Sequence, residues 1–203
     1  MNKTELLEKY PWLNESKEQL LDKYPWLNIE MTSWIDMMPE GWYNSFGEFF
    51  FEDLDTALKA SYPEGLPDDF RILDIKEKWG SLRVYLTHEP QLVSDVLCKY
   101  QYISSFVCLM CGAPYPFAHM TYDGWVMPLC ERCYLGKGSV IEFDKYHNSY
   151  LRTVLRDSIS VAEGPEDYIT IECSDGKEKT ERKIEIKETW KKIFQEYVRK
   201  TVI

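Results

Sequence analysis

At 203 residues, the chain can form one sizeable domain or two small ones, and its 44% hydrophobic and 15% aromatic content excludes global disorder. No apolar run is long enough to cross a bilayer, and Met1-Asn2-Lys3-Thr4-Glu5 has no apolar signal region behind it, so a soluble, cytoplasmic protein without membrane association is expected. The net charge of −10 disfavours broad, non-specific binding to nucleic acid and suits a basic partner.

That charge is unevenly spread. From Glu30 to Asp74, eleven acids are opposed only by Lys59 and Arg71, whereas residues 174–203 carry nine Lys or Arg against six acids. The front half is therefore acidic and the tail mildly basic.

The chain opens on an internal repeat. Leu6-Leu7-Glu8-Lys9-Tyr10-Pro11-Trp12-Leu13-Asn14 returns fourteen residues later as Leu20-Leu21-Asp22-Lys23-Tyr24-Pro25-Trp26-Leu27-Asn28. Each copy reads as a short helix stopped by proline and followed by an aromatic hook. Trp12 and Trp26 either dock on the body or form a duplicated interaction element whose two copies add avidity.

Residues 41–60 read as a helix, because Trp42, Phe46, Phe50, Leu54 and Leu58 recur every four residues as an apolar stripe. Glu48, Glu52 and Asp55 fall on another face, as a solvated row or a partner-facing acidic strip.

Residues 70–87 read as a β-hairpin turning at Gly80-Ser81, with Trp79 opposite Leu82, Glu77 opposite Val84 and Ile75 opposite Leu86. This register predicts a core face of Leu73, Ile75, Trp79, Leu82, Val84 and Leu86, and an opposite face carrying Lys76, Lys78, Arg83 and Tyr85. The second face is the local candidate for touching phosphate or an acidic surface. Glu77 falls on the apolar side, either at the rim beside a base or as a functional carboxylate.

A helix follows Pro90, with Leu92, Val96, Tyr100, Ile103 and Val107 as its apolar stripe. A further helix is expected over 146–157. Strands Tyr168–Cys173 and Lys179–Ile186 flank a turn at Ser174-Asp175-Gly176-Lys177, and a basic helix over 189–200 presents Trp190, Ile193, Phe194 and Tyr197. The class is α+β: helices packed on a small antiparallel sheet, with a zinc-ribbon or treble-clef-like four-cysteine element. Three parts are expected: the duplicated segment 1–28, an α+β body 29–163 containing the zinc element 108–133, and a C-terminal hairpin plus basic helix 164–203.

The strongest chemical signal is Cys108-x-x-Cys111 followed by Cys130-x-x-Cys133. Thiolates two residues apart chelate a metal from one tight turn, and two such pairs complete a tetrahedral zinc sphere. Four thiolates leave no open position, so the zinc is structural, and Cys98 and Cys173 are left as core residues. A nuclease of the His-Asn-His type needs a catalytic His pair between its knuckles. Here that stretch holds only His119, and His88 and His147 lie in nothing resembling a triad. Glycine-rich phosphate loops and nucleophile-elbow motifs are also missing, which points to a non-enzymatic protein.

Gly41-Trp42-Tyr43, Ile75-Lys76-Glu77-Lys78-Trp79-Gly80-Ser81-Leu82-Arg83-Val84-Tyr85, Cys108-x-x-Cys111-Gly112-Ala113-Pro114, Gly124-Trp125 and Leu129-Cys130-x-x-Cys133 follow in order. With the Leu-x-Lys-Tyr-Pro opening, residues 20–135 resemble a group of small bacterial and bacteriophage proteins that join a lysine-rich hairpin to a zinc ribbon. The resemblance implies a bacterial or phage cytosol and that fold element, and it implies no reaction.

The expected function is a zinc-stabilised acidic interaction protein, in a phage an inhibitor of a basic nucleic-acid-handling host protein, with an anti-defence or anti-CRISPR-like role as one version. Glu48, Glu52, Asp55, Trp12, Trp26, Lys76, Lys78 and Arg83 are the candidate partner-binding residues. The alternatives are a zinc-ribbon nucleic-acid-binding regulator and an enzyme of unrecognised type built around Glu77.

Overall fold

The computed structural model describes residues 2–13, 37–121, 126–136, 165–174 and 179–201. The second repeat copy with Trp26, the helix expected over 146–157, the turn at 175–177 and the side chain of Cys173 lie outside the described residues.

Helix α1, Lys3–Lys9, starts on a capping box: Asn2 Oδ1 accepts from the Glu5 amide at 2.9 Å, and Glu5 accepts in return from the Asn2 amide at 2.9 Å. Pro11 cannot extend an α-helix, and Pro11–Leu13 form a 3-10 turn. This first hook lies on the body. Leu6, Tyr10 and Leu13 are buried, Trp12 meets Phe70 edge-on at 6.3 Å, and its Nε1–H donates to Asp55 Oδ1 at 3.1 Å.

A long helix, α2, runs through three segments: Glu40–Trp42, the π-helical Tyr43–Gly47, and Glu48–Ser61. Its stripe of Trp42, Phe46, Phe50, Leu54 and Leu58 is wholly buried, at 0–1% exposure. Burying each of these side chains contributes roughly 1.5–3 kcal/mol, so this helix face organises the core.

Strands β1, Ile72–Lys78, and β2, Ser81–Leu86, form an antiparallel hairpin. The pairs are Lys78 with Ser81, Glu77 with Leu82 and Ile75 with Val84, so the turn is Trp79-Gly80 and not Gly80-Ser81. Both turn residues have positive φ, 56° and 75°, the conformation of a type I′ turn, whose twist matches that of the strands. The shift against the expected register is two residues. Side-chain parity is therefore kept, and Ile75, Leu82 and Leu86 still face the core. Two residues change place. Trp79 leaves the core face for the turn and is 73% exposed, and a bulge at Leu73 lets Ile72 point inward in its stead.

Helix α3, Gln91–Ser104, packs on α2 and β2. Val93, not Leu92, faces inward; Leu92 is exposed, and Val107 lies past the helix end in a bridge to Pro114. Asp53 of α2 accepts from Tyr100 Oη at 2.9 Å and from Lys99 Nζ at 3.0 Å. Burial, reinforced by the Asp53 charge, pushes the Tyr100 phenol well above its usual range, so it acts as a lasting donor. Ser104, fully buried, accepts from the Leu82 amide at 2.8 Å and donates to the Gln101 carbonyl at 2.7 Å, which ties β2 to α3. Cys98 on this helix is half-buried, less enclosed than a core residue.

Strands β3, Ala118–Thr121, and β4, Met127–Cys130, with helix α4, Glu131–Gly136, build the cysteine-bearing element. The tail supplies β5, Tyr168–Ser174, β6, Lys179–Glu185, and α5, Lys187–Thr201. The class is α+β, with antiparallel pairing divided, among the described residues, into three two-stranded ribbons. The tail meets the body: Ile186 and Ile193 enter the main core, Arg182 pairs with Asp95 at 2.9 Å, and Lys200 donates to the Asn44 carbonyl at 3.1 Å. Among the described residues, no helix is long and apolar enough to cross a membrane.

Candidate metal centre

The centre is built where α3 ends. Val107 bridges to Pro114, the Cys108 amide donates to the Ala113 carbonyl at 2.8 Å, and the Gly112 amide donates to the Cys108 carbonyl at 2.8 Å. This tight loop turns the Cys108 and Cys111 side chains to one side. Gly112 closes it at φ 78°, in the left-handed region that glycine enters without strain. The Leu109 amide then donates to the Pro128 carbonyl at 3.0 Å, fixing the loop to β4. Cys130 ends β4, and Cys133 lies in the six-residue α4 that follows. Knuckle, hairpin and helix follow in the order of a treble clef.

All four sulfurs lie within 4.8 Å of one another, and the Cys111 and Cys130 sulfurs are 3.5 Å apart. Tetrahedral coordination with metal–sulfur bonds of about 2.3 Å sets sulfurs roughly 3.8 Å apart. A disulfide would need about 2.05 Å. The donor set therefore fits a single metal ion. Cys108 is fully buried and Cys130 is 7% exposed, while Cys111 and Cys133 are half-buried.

Burial pushes the Cys108 and Cys133 thiols up, with neighbouring sulfurs opposing ionisation of both. Burial also opposes ionisation of Cys111, but hydrogen bonds from the Ala113 amide and the other cysteines outweigh it and bring that thiol down. Arg132 is held more firmly protonated, chiefly by the charge of Cys111 beside it, so the guanidinium offsets part of the negative charge that four thiolates would gather. His119 stays outside the sulfur cluster. It is buried and its ring meets Tyr115 edge-on at 5.7 Å; burial lowers its pKa. Cys111 and Cys130 belong to the wall of a cavity of about 860 Å³ that Gly112, His119, Arg132 and Tyr197 also line.

Two glycines join this centre to the core. The Gly41 amide donates to the Leu109 carbonyl at 2.9 Å, and Trp42 Nε1–H donates to the Val107 carbonyl at 2.8 Å. A Cβ on Gly41 would stand 2.3 Å from the Cys108 carbonyl oxygen, and one on Gly112 would stand 2.7 Å from the Gly41 carbonyl oxygen. Residues 41 and 112 thus seat the α2 N-terminus directly on the knuckle backbone. Both glycines stand within the motifs quoted above, but nothing in their local pattern signals this role.

The candidate partner-binding residues divide by environment. Glu48 and Glu52 are exposed on α2, with Lys9 approaching Glu52 at 3.8 Å. Asp55 and Trp12 bind one another, and Asp55 also pairs with Lys59 at 2.7 Å. Lys76 pairs with Asp74 and lies over the Tyr85 ring at 5.2 Å; Lys78 is exposed and Arg83 half-buried.

Glu77 has a structural task. It sits half-buried on the apolar side, and its Oε1 accepts from the Gly80 amide at 2.7 Å, where a neighbouring base was expected. Glu77→Ala should lower stability by about 1.5–3 kcal/mol in denaturant titration, because the buried Gly80 amide loses a charged acceptor. Glu77→Gln, which keeps an acceptor oxygen, should recover much of that loss. Equal losses for both variants would remove this role.

The chain matches no protein-family model, no curated protein and no solved structure.

Proposed function

We propose that the protein is a non-enzymatic interaction protein, braced by a structural zinc ion on Cys108, Cys111, Cys130 and Cys133, whose acidic face docks on a basic nucleic-acid-handling protein. A closed set of four thiolates suits zinc and leaves it a folding role. The bacterial or phage cytosol is the setting, and inhibition of a host defence protein is the form of the activity.

One observation carries this reading. Glu40, Glu48, Glu52, Glu64 and Asp68 all reach solvent along and just beyond α2, within the acidic stretch of a chain of net charge −10. Such a field selects a partner by charge sign and accelerates its encounter. The hook residue Trp12 and Asp55 of α2 hold that surface in shape, since their mutual bond fixes the N-terminal segment against α2.

The test is affinity capture from nuclease-treated bacterial lysate on immobilised protein, at low and moderate salt, with and without competitor DNA. A basic nucleic-acid-binding protein should be retained, and DNA should displace it. The Glu48→Lys/Glu52→Lys double variant should weaken its retention by about tenfold or more. Retention indifferent to the charge reversal would sink the proposal, as would recovery of nucleic acid and no protein.

A further inference from the structure

The turn of the β1–β2 hairpin breaks two local preferences at once. Position 79 needs positive φ, which asparagine or glycine adopts with little strain and a bulky aromatic does not. The tryptophan placed there is 73% exposed, so burial does not offset that strain. Gly80 is different: it is buried, and a Cβ there would stand 2.5 Å from Met120 Sδ. The turn is thus pinned to β3 through Gly80 while Trp79 projects outward.

Around Trp79 lies a groove of about 430 Å³, between β2 and α3, whose lining includes Lys78, Trp79, Arg83, Tyr85, Glu89 and Gln101 beside five apolar residues. Tyr85 is 39% exposed. Lys76 is already paired with Asp74, whereas Lys78 and Arg83 have no acidic partner among the described residues. Glu89 is the one acid in the lining. An otherwise acidic protein therefore presents, at one place, two aromatic rings, two cations without acidic partners and one amide.

We infer that this hairpin tip and groove bind single-stranded nucleic acid, a base stacking on Trp79 and a backbone phosphate meeting Arg83 and Lys78. Stacking on an exposed ring requires an unstacked base, which a duplex does not offer and a single strand does. The groove volume suits one nucleotide unit, and Gln101 in its lining adds an amide for hydrogen bonding. The surrounding charge of −10 keeps the contact local, and with two cations on phosphate its salt dependence is modest.

The experiment is fluorescence anisotropy of labelled oligothymidine of about 12 nucleotides, a length within the site sizes of such grooves, with full-length zinc-replete protein at low and moderate salt. Wild type should bind at low salt and weaken by roughly sevenfold for about a fourfold rise in salt, as two phosphate contacts require. Trp79→Gly should weaken binding about tenfold while its melting temperature holds or rises, since glycine relieves the turn; a merely structural tryptophan would not show that split. Arg83→Gln should weaken binding and flatten the salt dependence. Glu48→Lys/Glu52→Lys should leave oligonucleotide binding intact, which separates this result from the fate of the acidic-face proposal. Absence of binding by wild type at low salt would overturn the inference, as would a Trp79→Gly variant that binds like wild type. Uptake of polyglutamate in place of the oligonucleotide, lost in Trp79→Gly, would also overturn it and assign the groove to an acidic peptide.

Discussion

Replacing Cys111 by serine should empty the proposed zinc site and remove more stability than most single substitutions in a core. Wild-type protein should carry one zinc per chain by elemental analysis, and the variant close to none. The reason lies in the protonation of the sulfurs. Burial raises the Cys108 and Cys133 thiols, so without a metal these two groups hold their protons. Metal binding displaces those protons, and its free energy, about 10–16 kcal/mol for structural zinc near neutral pH, is coupled to folding. That exceeds the whole stability of many domains of this size. The variant should therefore lose its cooperative thermal transition or melt far below wild type, and a strong chelator should produce the same change in wild type. The sign in pH follows. Protons compete with the metal for the sulfurs, so zinc retention and the stability it contributes should fall together as pH drops. A wild type without metal, or a Cys111→Ser variant that melts with it, would remove the zinc reading.

How much of this was legible in the chain depended on whether local pattern or a distant contact decides each residue. The α2 stripe was legible because five large apolar residues four apart permit only one helix face, and all five are buried. The four cysteines were legible because their spacing is itself the chelate. The hairpin's existence and face were legible, yet its turn was not. Gly80-Ser81 matches a type II′ turn better by residue type than Trp79-Gly80 matches type I′, and contacts from outside the local pattern, such as the Ser104 bond to the Leu82 amide, hold the register that forms. Glu77 could not be understood before the turn was known, because its partner is the turn amide itself. Leu92 and Val93 were misordered for a similar reason: neighbouring helix positions lie about 100° apart, and the packing of α3 on α2 sets the phase. The seating of α2 on the knuckle was hidden altogether. It depends on backbone atoms 67 to 70 residues along the chain from Gly41, which leave no periodic trace.

That seating leads to the second large effect, which is Gly41→Ala. Glycine to alanine in a helix ordinarily stabilises by roughly 0.5–1 kcal/mol. Here the new methyl would lie 2.3 Å from the Cys108 carbonyl oxygen, 2.6 Å from the Leu109 carbonyl carbon and 2.7 Å from the Cys111 amide nitrogen. All three are backbone atoms of the metal knuckle, so no side-chain rotamer can relieve the contact. Either α2 withdraws, breaking the Gly41 amide bond to Leu109 and the Trp42 indole bond to Val107, or the knuckle distorts and the sulfurs separate. Overpacking alone is worth about 1–3 kcal/mol, and two lost hydrogen bonds add about 1 kcal/mol each, so a loss of about 3 kcal/mol or more is expected. Gly47→Ala is the matched control on the same helix. The nearest atoms to its Cβ would be those of the Tyr43 side chain, at 3.1 Å, which can shift, so it should change stability by less than about 1 kcal/mol. Zinc affinity, measured by competition with a chromophoric chelator, should fall in Gly41→Ala and hold in Gly47→Ala. If the two alanines behave alike in both assays, α2 does not rest on the metal centre, and the link between acidic helix and zinc brace fails with it.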